Sequence, residues 1–540
     1  MSNEVMQPDV LIIGSGPAGV SAAWPLVEAG ISVLMLDQGK TGNSNFKALD
    51  GRSLHDIRTR DPEQWKRFLG KDFSTLKPRG MVSPKLKVPN QQFAFDGFKK
   101  AYAIHTNNFH AIGSLAQGGL SNVWGAGAYV YDDEDLIDFP INRNDIAASA
   151  KRIAKRIGLS GSLDDDMAEF YGDDIPLQPA IELDQRAAAL FNRYQINKPQ
   201  ISGTDFSLGR ARNAVLSKPL GPRGGCLRDD MCLWGCERGA IYNAAQELVE
   251  LKKNPNFTYH SGIFVNTIER RSNMYTVITS CPVSYKSKYV VLAAGTLGST
   301  ALALRHLDHI NRDIPFYSNP TLALPLVLPH FLGGVLPKAN FALGQLGFKV
   351  RTPELENTYA HGVIFAASGL PASEFIRHIP LSRLVAIRLF RALQPALLIA
   401  NCFLPGRFSQ NTLKITNKNG ATALEIVGGY TVNLDGVIKS TAKALSAHFR
   451  KLGGYALPGG VQASEPGADI HYAGTLPMCA DGQNNGNNPH TNTFGCLQGS
   501  NGLYVVDGAV LNQVAAKNPT FSIMANADRI SRHIVTKLKS

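Results

Sequence analysis

The run Asp9-Val-Leu-Ile-Ile-Gly14-Ser-Gly16-Pro-Ala-Gly19 constrains this 540-residue chain more than any other feature. Four β-forming apolar residues lead straight into a G-x-G-x-x-G turn, and Val20 to Ala29 continue as a helix closed by Gly30. A second short apolar run, Ser32 to Leu36, ends on Asp37, 23 residues after Gly14. Each part has a physical role in a nucleotide-binding α/β unit. Gly14 permits the tight turn, Gly16 lets backbone approach a pyrophosphate, and Gly19 brings helix and strand together. The helix N-terminus faces the phosphate charge, and Asp37 is placed to accept hydrogen bonds from ribose hydroxyls. A lone fingerprint is weak, but this one comes with both strands, the helix and the acid at proper spacing. No second fingerprint occurs in the chain, so electrons are expected from a bound substrate rather than from a second nicotinamide module.

A chain of this length exceeds one simple core, which predicts two interleaved domains around a shared cleft. The net charge is +12, from 55 basic and 43 acidic residues. The basic residues are scattered without interleaved aromatics, which reads as a solvated surface and argues against a nucleic-acid partner. Seven cysteines form no secreted disulfide framework. The strand at Val10 is preceded by no signal segment, so a cytoplasmic location is expected. The longest apolar tract, Leu384 to Leu404, is interrupted by Arg388, Arg391 and Pro395, which argues against a spanning helix. A buried helix is the preferred reading there, with peripheral membrane contact as the second.

Three later segments are decisive when taken in order after the N-terminal fold. They are Gly118-Gly119-Leu-Ser121-Asn122-Val123-Trp124-Gly125, Tyr289-Val-Val-Leu-Ala-Ala294-Gly295-Thr-Leu-Gly298, and Gly502-Leu-Tyr-Val-Val-Asp507-Gly508 with Asn518-Pro519-Thr520 and a final helix. In this arrangement the chain resembles the glucose–methanol–choline oxidoreductases, closest in style to the branch with pyranose and cholesterol oxidases. The resemblance implies an α/β chain: a Rossmann-like FAD-binding domain assembled from discontinuous segments, plus a substrate domain with an antiparallel sheet and helices. The flavin domain is assigned to 1–48, 105–130, 220–305 and 465–540, and the substrate domain to 131–219 and 306–464. Cofactor contacts are carried onto Gly14, Gly16, Gly19, Asp37, Gly119, Ser121, Asn122, Trp124, Val265, Ala294, Gly295, Asp507, Gly508, Asn518 and Pro519. In some relatives a histidine two positions after the serine bonds covalently to the flavin. That position is Val123 here, so FAD is expected to bind noncovalently.

The resemblance also places a catalytic histidine in His471-Tyr-Ala-Gly474-Thr475 and a second catalytic group at Asn518. The chemistry agrees: alcohol oxidation needs the hydroxyl proton removed as hydride leaves carbon, and a neutral imidazole is a natural base. Asn518 donates to a developing alkoxide without titrating. His490 is the alternative base, although it reads as a loop histidine. Cys226, Cys232 and Cys236 are the best metal-ligand candidates, yet they read as buried or partly paired thiols, and no metal is assigned. Asn144 is expected to cap a helix with an apolar face of Ile146, Ala150, Ile153 and Ile157, opening the substrate domain. The acidic stretch Asp164 to Asp174 reads as a solvated loop. The expected activity is oxidation of a small-molecule alcohol, a sugar or polyol by the resemblance, with a sterol or lipid-linked alcohol as the alternative. The electron acceptor is open among quinone, protein partner and oxygen, with a dehydrogenase preferred; a non-catalytic flavin-binding protein is the competing class.

Overall fold

The computed structural model describes residues 5–42, 51–70, 72–76, 84–201, 205–418, 421–483 and 485–540. The first flavin segment was read as 1–48; its residues 1–4 and 43–48 lie outside the described ones. The fingerprint strand Val10–Ile13 is buried at every position and sits at the centre of a five-stranded parallel sheet. In spatial order this sheet runs Leu503–Val505, Tyr289–Leu292, Val10–Ile13, Val33–Leu36, Phe257–His260. Parallel strands need both faces covered, which explains their unbroken apolar runs. Burying each such side chain contributes about 1.5–3 kcal/mol. The helices Pro17–Glu28 and Thr520–Lys539 pack on each other beside the sheet. In the latter, Phe521, Met524, Ala525, Ala527, Ile530 and Ile534 form the buried face that the helical spacing predicts.

The helix Arg143–Ile157 has its predicted apolar face, but its cap is Asn142, which forms a capping box with Asp145. Ile146, Ala150, Ile153 and Ile157 join the same apolar cluster as Val10, and the helix packs against Thr520–Lys539.

The antiparallel sheet of the other half runs Tyr455–Ala456, Thr321–Val327, Leu397–Phe403, Ala360–Ala366, Leu346–Val350, Phe206–Arg210. A mixed sheet joins the halves: Tyr472–Ala473, Ile314–Ser318, Asn411–Lys418, Ala421–Val427, Ile104–Asn107. The pairing of Tyr317 with Ala473 and Ser318 with Tyr472 carries residue 319 to the side of His471.

Two expectations change. The tract Leu384 to Leu404 is not one buried helix. It divides into the helix Arg383–Leu393, with only Ala386 and Phe390 buried, and the central strand Leu397–Phe403. Pro395 ends the helix because it cannot donate the next backbone bond. No helix among the described residues is long and apolar enough to cross a membrane. The acidic stretch is also not wholly solvated: Ala168–Tyr171 is a helical turn that buries Phe170 and Tyr171, and Asp165 accepts the Arg210 N–H at 2.7 Å.

Candidate active site

The carboxyl ends of the parallel strands open onto a cavity lined mostly by apolar groups, as small-molecule and cofactor sites are. Gly14, Gly16, Asp37, Gly119, Ser121, Trp124, Val265, Ala294, Gly295, Asp507, Gly508 and Pro519 line it, together with His471. The geometry of the turn matches the chemistry of a diphosphate. Gly14 has φ +105°, and a Cβ there would lie 2.4 Å from the Ala293 carbonyl oxygen. A Cβ on Gly19 would lie 2.0 Å from the Gly14 carbonyl oxygen, so only glycine lets the helix come this close. At Gly16 an added Cβ meets nothing within 4 Å. The backbone there faces open cavity, which is the room a bulky phosphate needs at a helix N-terminus.

Asp37 accepts from the Ser15 hydroxyl and from the Tyr259 hydroxyl at 3.2 Å. Burial pushes its carboxyl up to about 6, against the pull of those donors. Ser15 also accepts the Gly118 N–H at 3.0 Å, which ties the fingerprint turn to the Gly118-Gly119 loop. Ser15 and Tyr259 were not singled out by sequence; Ser15 was hidden as a variable position of the fingerprint. Asp507 accepts from the Ser299 hydroxyl at 2.5 Å and the Ala509 N–H at 3.1 Å, and burial pushes it up to about 6.

Three of the cofactor candidates lie outside the lining. Gly19 serves helix packing. Asn122 donates to the Gln117 and Gly119 carbonyls at 2.9 and 2.7 Å and accepts from Asn243 at 2.8 Å. It borders a separate, smaller cavity with Cys232 and Cys236. Asn518 instead meets His471: Nδ2 of the amide and Nε2 of the imidazole are 3.3 Å apart. Pro519 caps the final helix, which starts at Thr520.

On its other side, His471 Nδ1 lies 3.0 Å from Oδ1 of Asn319. Asn319 is fully buried, and its Nδ2 donates to the carbonyls of Leu404 and Ala515 at 2.8 and 2.9 Å. Those two acceptors fix which amide atom is oxygen. Oδ1 must therefore receive a proton from Nδ1, leaving Nε2 with its lone pair toward Asn518. Phe403 packs on the ring, centroids 5.2 Å apart. Beneath it, Asp469 accepts the N–H groups of Asn319 and His471 at 2.9 and 3.0 Å. Burial pushes Asp469 up to about 7. Between them Ile470 has φ 69°, a costly conformation for a β-branched residue. The two Asp469 bonds hold this turn in place.

His490 lies apart from this cluster. Its N–H donates to Gln498 Oε1 at 3.1 Å, and its Nδ1 sits 3.3 Å from the Asn488 carbonyl. Among the described residues no group of three His, Cys, Asp or Glu is arranged to hold a metal. Burial pushes the Cys226 thiol up to about 11 and raises Cys232 and Cys236 as well.

The fold and cavity define a class, a protein with a discontinuous α/β dinucleotide-binding domain. Residues 7–55 match the FAD binding domain family. FAD is the cofactor, and the glycine turn, Asp37 and the lining residues are the groups that fit it. Among solved structures the chain is similar to pyridoxine 4-oxidase from Mesorbium loti, with TM-score 0.57 and 15% identity, over 97% of this chain and 99% of that one. That likeness shows the shared two-domain fold. No curated protein sequence matches the chain.

Proposed function

We propose that the protein is a glucose–methanol–choline-type oxidoreductase that oxidises a CH–OH group of a small alcohol, of the sugar or polyol class that the sequence resemblance favours. The observation that carries the reading is the His471–Asn518 pair, 3.3 Å apart at the edge of the flavin cavity. Bound FAD supplies the hydride acceptor. His471 Nε2, whose lone pair points toward Asn518 because the ring proton is held on Nδ1 by Asn319, takes the hydroxyl proton of the alcohol. Asn518 Nδ2 donates to the same oxygen as negative charge develops on it. Phe403 packs on the imidazole and keeps water from that face. Val123, buried at the position of covalent attachment in some relatives, supports noncovalent FAD.

The structural neighbour is a pyridoxine 4-oxidase, which makes oxygen the acceptor to test first, against the dehydrogenase that sequence reading prefers. The deciding experiment records the visible spectrum of the purified protein, then repeats it anaerobically with sugars, polyols, sterols and simple alcohols. Bleaching of the flavin band by polyols or sugars is expected. A flavin band that no alcohol bleaches overturns the reading. Peroxide formed in step with turnover in air assigns oxygen as acceptor.

A further inference from the structure

The helix Arg383–Leu393 projects from the substrate-domain sheet with most of its surface in solvent. Leu381, Leu384, Val385, Ile387 and Leu389 are all exposed there, Leu384 to 72%. Single exposed leucines are ordinary, but a contiguous group of large apolar side chains marks a binding surface. The patch continues onto the preceding loop. Gly333 donates its N–H to the Ala392 carbonyl at 2.9 Å, which seats exposed Leu332 and Val335 (91% exposed) beside the helix end.

Charge identifies the occupant. Arg383, Arg388 and Arg391 lie on the same helix, exposed, and none has an acidic partner among the described residues. The chain contains no Asp or Glu between Glu374 and Glu425, nor between Asp313 and Glu354. These two segments are thus apolar and cationic with no carboxylate of their own, and Glu374 on the adjoining helical turn Ser373–Ile376 is paired with Lys87 and Arg377. A second copy of this chain docked by two-fold symmetry would set these arginines against each other without a counter-charge. An anionic lipid surface receives both components, with leucines entering the acyl boundary and guanidinium groups meeting phosphates.

We infer that this face docks the protein onto an anionic phospholipid bilayer through the helix Arg383–Leu393 and the loop carrying Leu332 and Val335. The inference concerns membrane attachment and is independent of the alcohol-oxidation reading. An arginine near an anionic surface strengthens attachment by roughly fivefold, so salt dependence should be steep.

The test is flotation of the FAD-loaded protein with vesicles of phosphatidylcholine alone or mixed with phosphatidylserine. Binding is expected only with phosphatidylserine, and it should fall at least tenfold at about 1 M salt, where the Debye length shrinks to about 3 Å. The paired substitution Leu384→Glu and Ile387→Glu, both at solvent-facing positions, should abolish binding while melting temperature and flavin content stay at parent values. Arg388→Glu with Arg391→Glu should do the same through charge alone. Absence of binding to phosphatidylserine vesicles at low salt overturns the inference, as does retention of binding by both double variants. A dimer in light scattering that Leu384→Glu converts to monomer assigns the face to a second copy and overturns it too.

Discussion

Replacing Asn319 by Ala tests whether a residue without substrate contact sets the reactivity of the site. The substitution removes the acceptor for His471 Nδ1–H and the two donors to the Leu404 and Ala515 carbonyls. Two unsatisfied buried carbonyls cost about 1–3 kcal/mol each, so stability should fall by roughly 2–6 kcal/mol. A hydrogen bond worth about 0.5–1.5 kcal/mol no longer selects the Nδ1–H tautomer, which dilutes the competent base by roughly 2–10-fold. Loosening of the ring adds up to about 10²-fold for a misplacement near 1 Å. The limiting rate of anaerobic flavin bleaching should therefore drop between about 2-fold and about 10³-fold, with flavin still bound. Asn319→Asp separates positioning from mere support. It keeps an acceptor at Nδ1, and its negative charge favours the imidazolium, raising the pKa of His471. Because the base acts when deprotonated, activity should then need higher pH than in the parent. The assay is stopped-flow bleaching at saturating alcohol across pH, with flavin-to-protein absorbance and thermal melting as controls. Asn319→Ala with full flavin and an unchanged limiting rate refutes the reasoning, as does an unshifted pH profile in Asn319→Asp.

His471→Ala should keep its FAD and lose about 10²–10⁴-fold in bleaching rate, the usual contribution of a positioned base; an unaltered rate moves the base elsewhere. Gly16→Val should fold normally, since space is open around its Cβ position, yet purify with little flavin absorbance. Gly14→Ala should fail to fold, because its Cβ meets the Ala293 carbonyl and φ is positive. FAD affinity should weaken on acidification through about pH 6, where Asp37 of the FAD-free protein takes up a proton. Ribose hydroxyls are donors that favour the carboxylate, so binding releases this proton and loses up to about tenfold in affinity per pH unit below that value. Titration calorimetry at pH 5 and 8, in two buffers, measures both the affinity and the proton release. Acid precipitation should free the flavin into the supernatant, as expected with Val123 at the attachment position.

What was legible in the sequence was chemistry whose partners lie close along the chain. The fingerprint turn is readable because Gly14, Gly16 and Gly19 answer to one another within six residues, and the final helix because its buried positions repeat at its own period. Asp37 was readable from its distance to the turn, but its partners Ser15 and Tyr259 were not, since Tyr259 reaches it only through the adjacent strand Phe257–His260. Asn319 is the sharper case. Tyr317-Ser-Asn-Pro320 carries no local signal, and Asn319 meets His471 across 152 residues only because Ile314–Ser318 pairs with Tyr472–Ala473. The tract Leu384 to Leu404 failed for a different reason. Hydropathy measures how apolar a segment is, not what covers it, and here half of the tract is the central strand of a sheet while the other half faces outward. Local motifs thus fixed where the cofactor goes. The tautomer of the histidine and the character of the outer surface depend on long-range register, and that is where experiments on this protein have the most to decide.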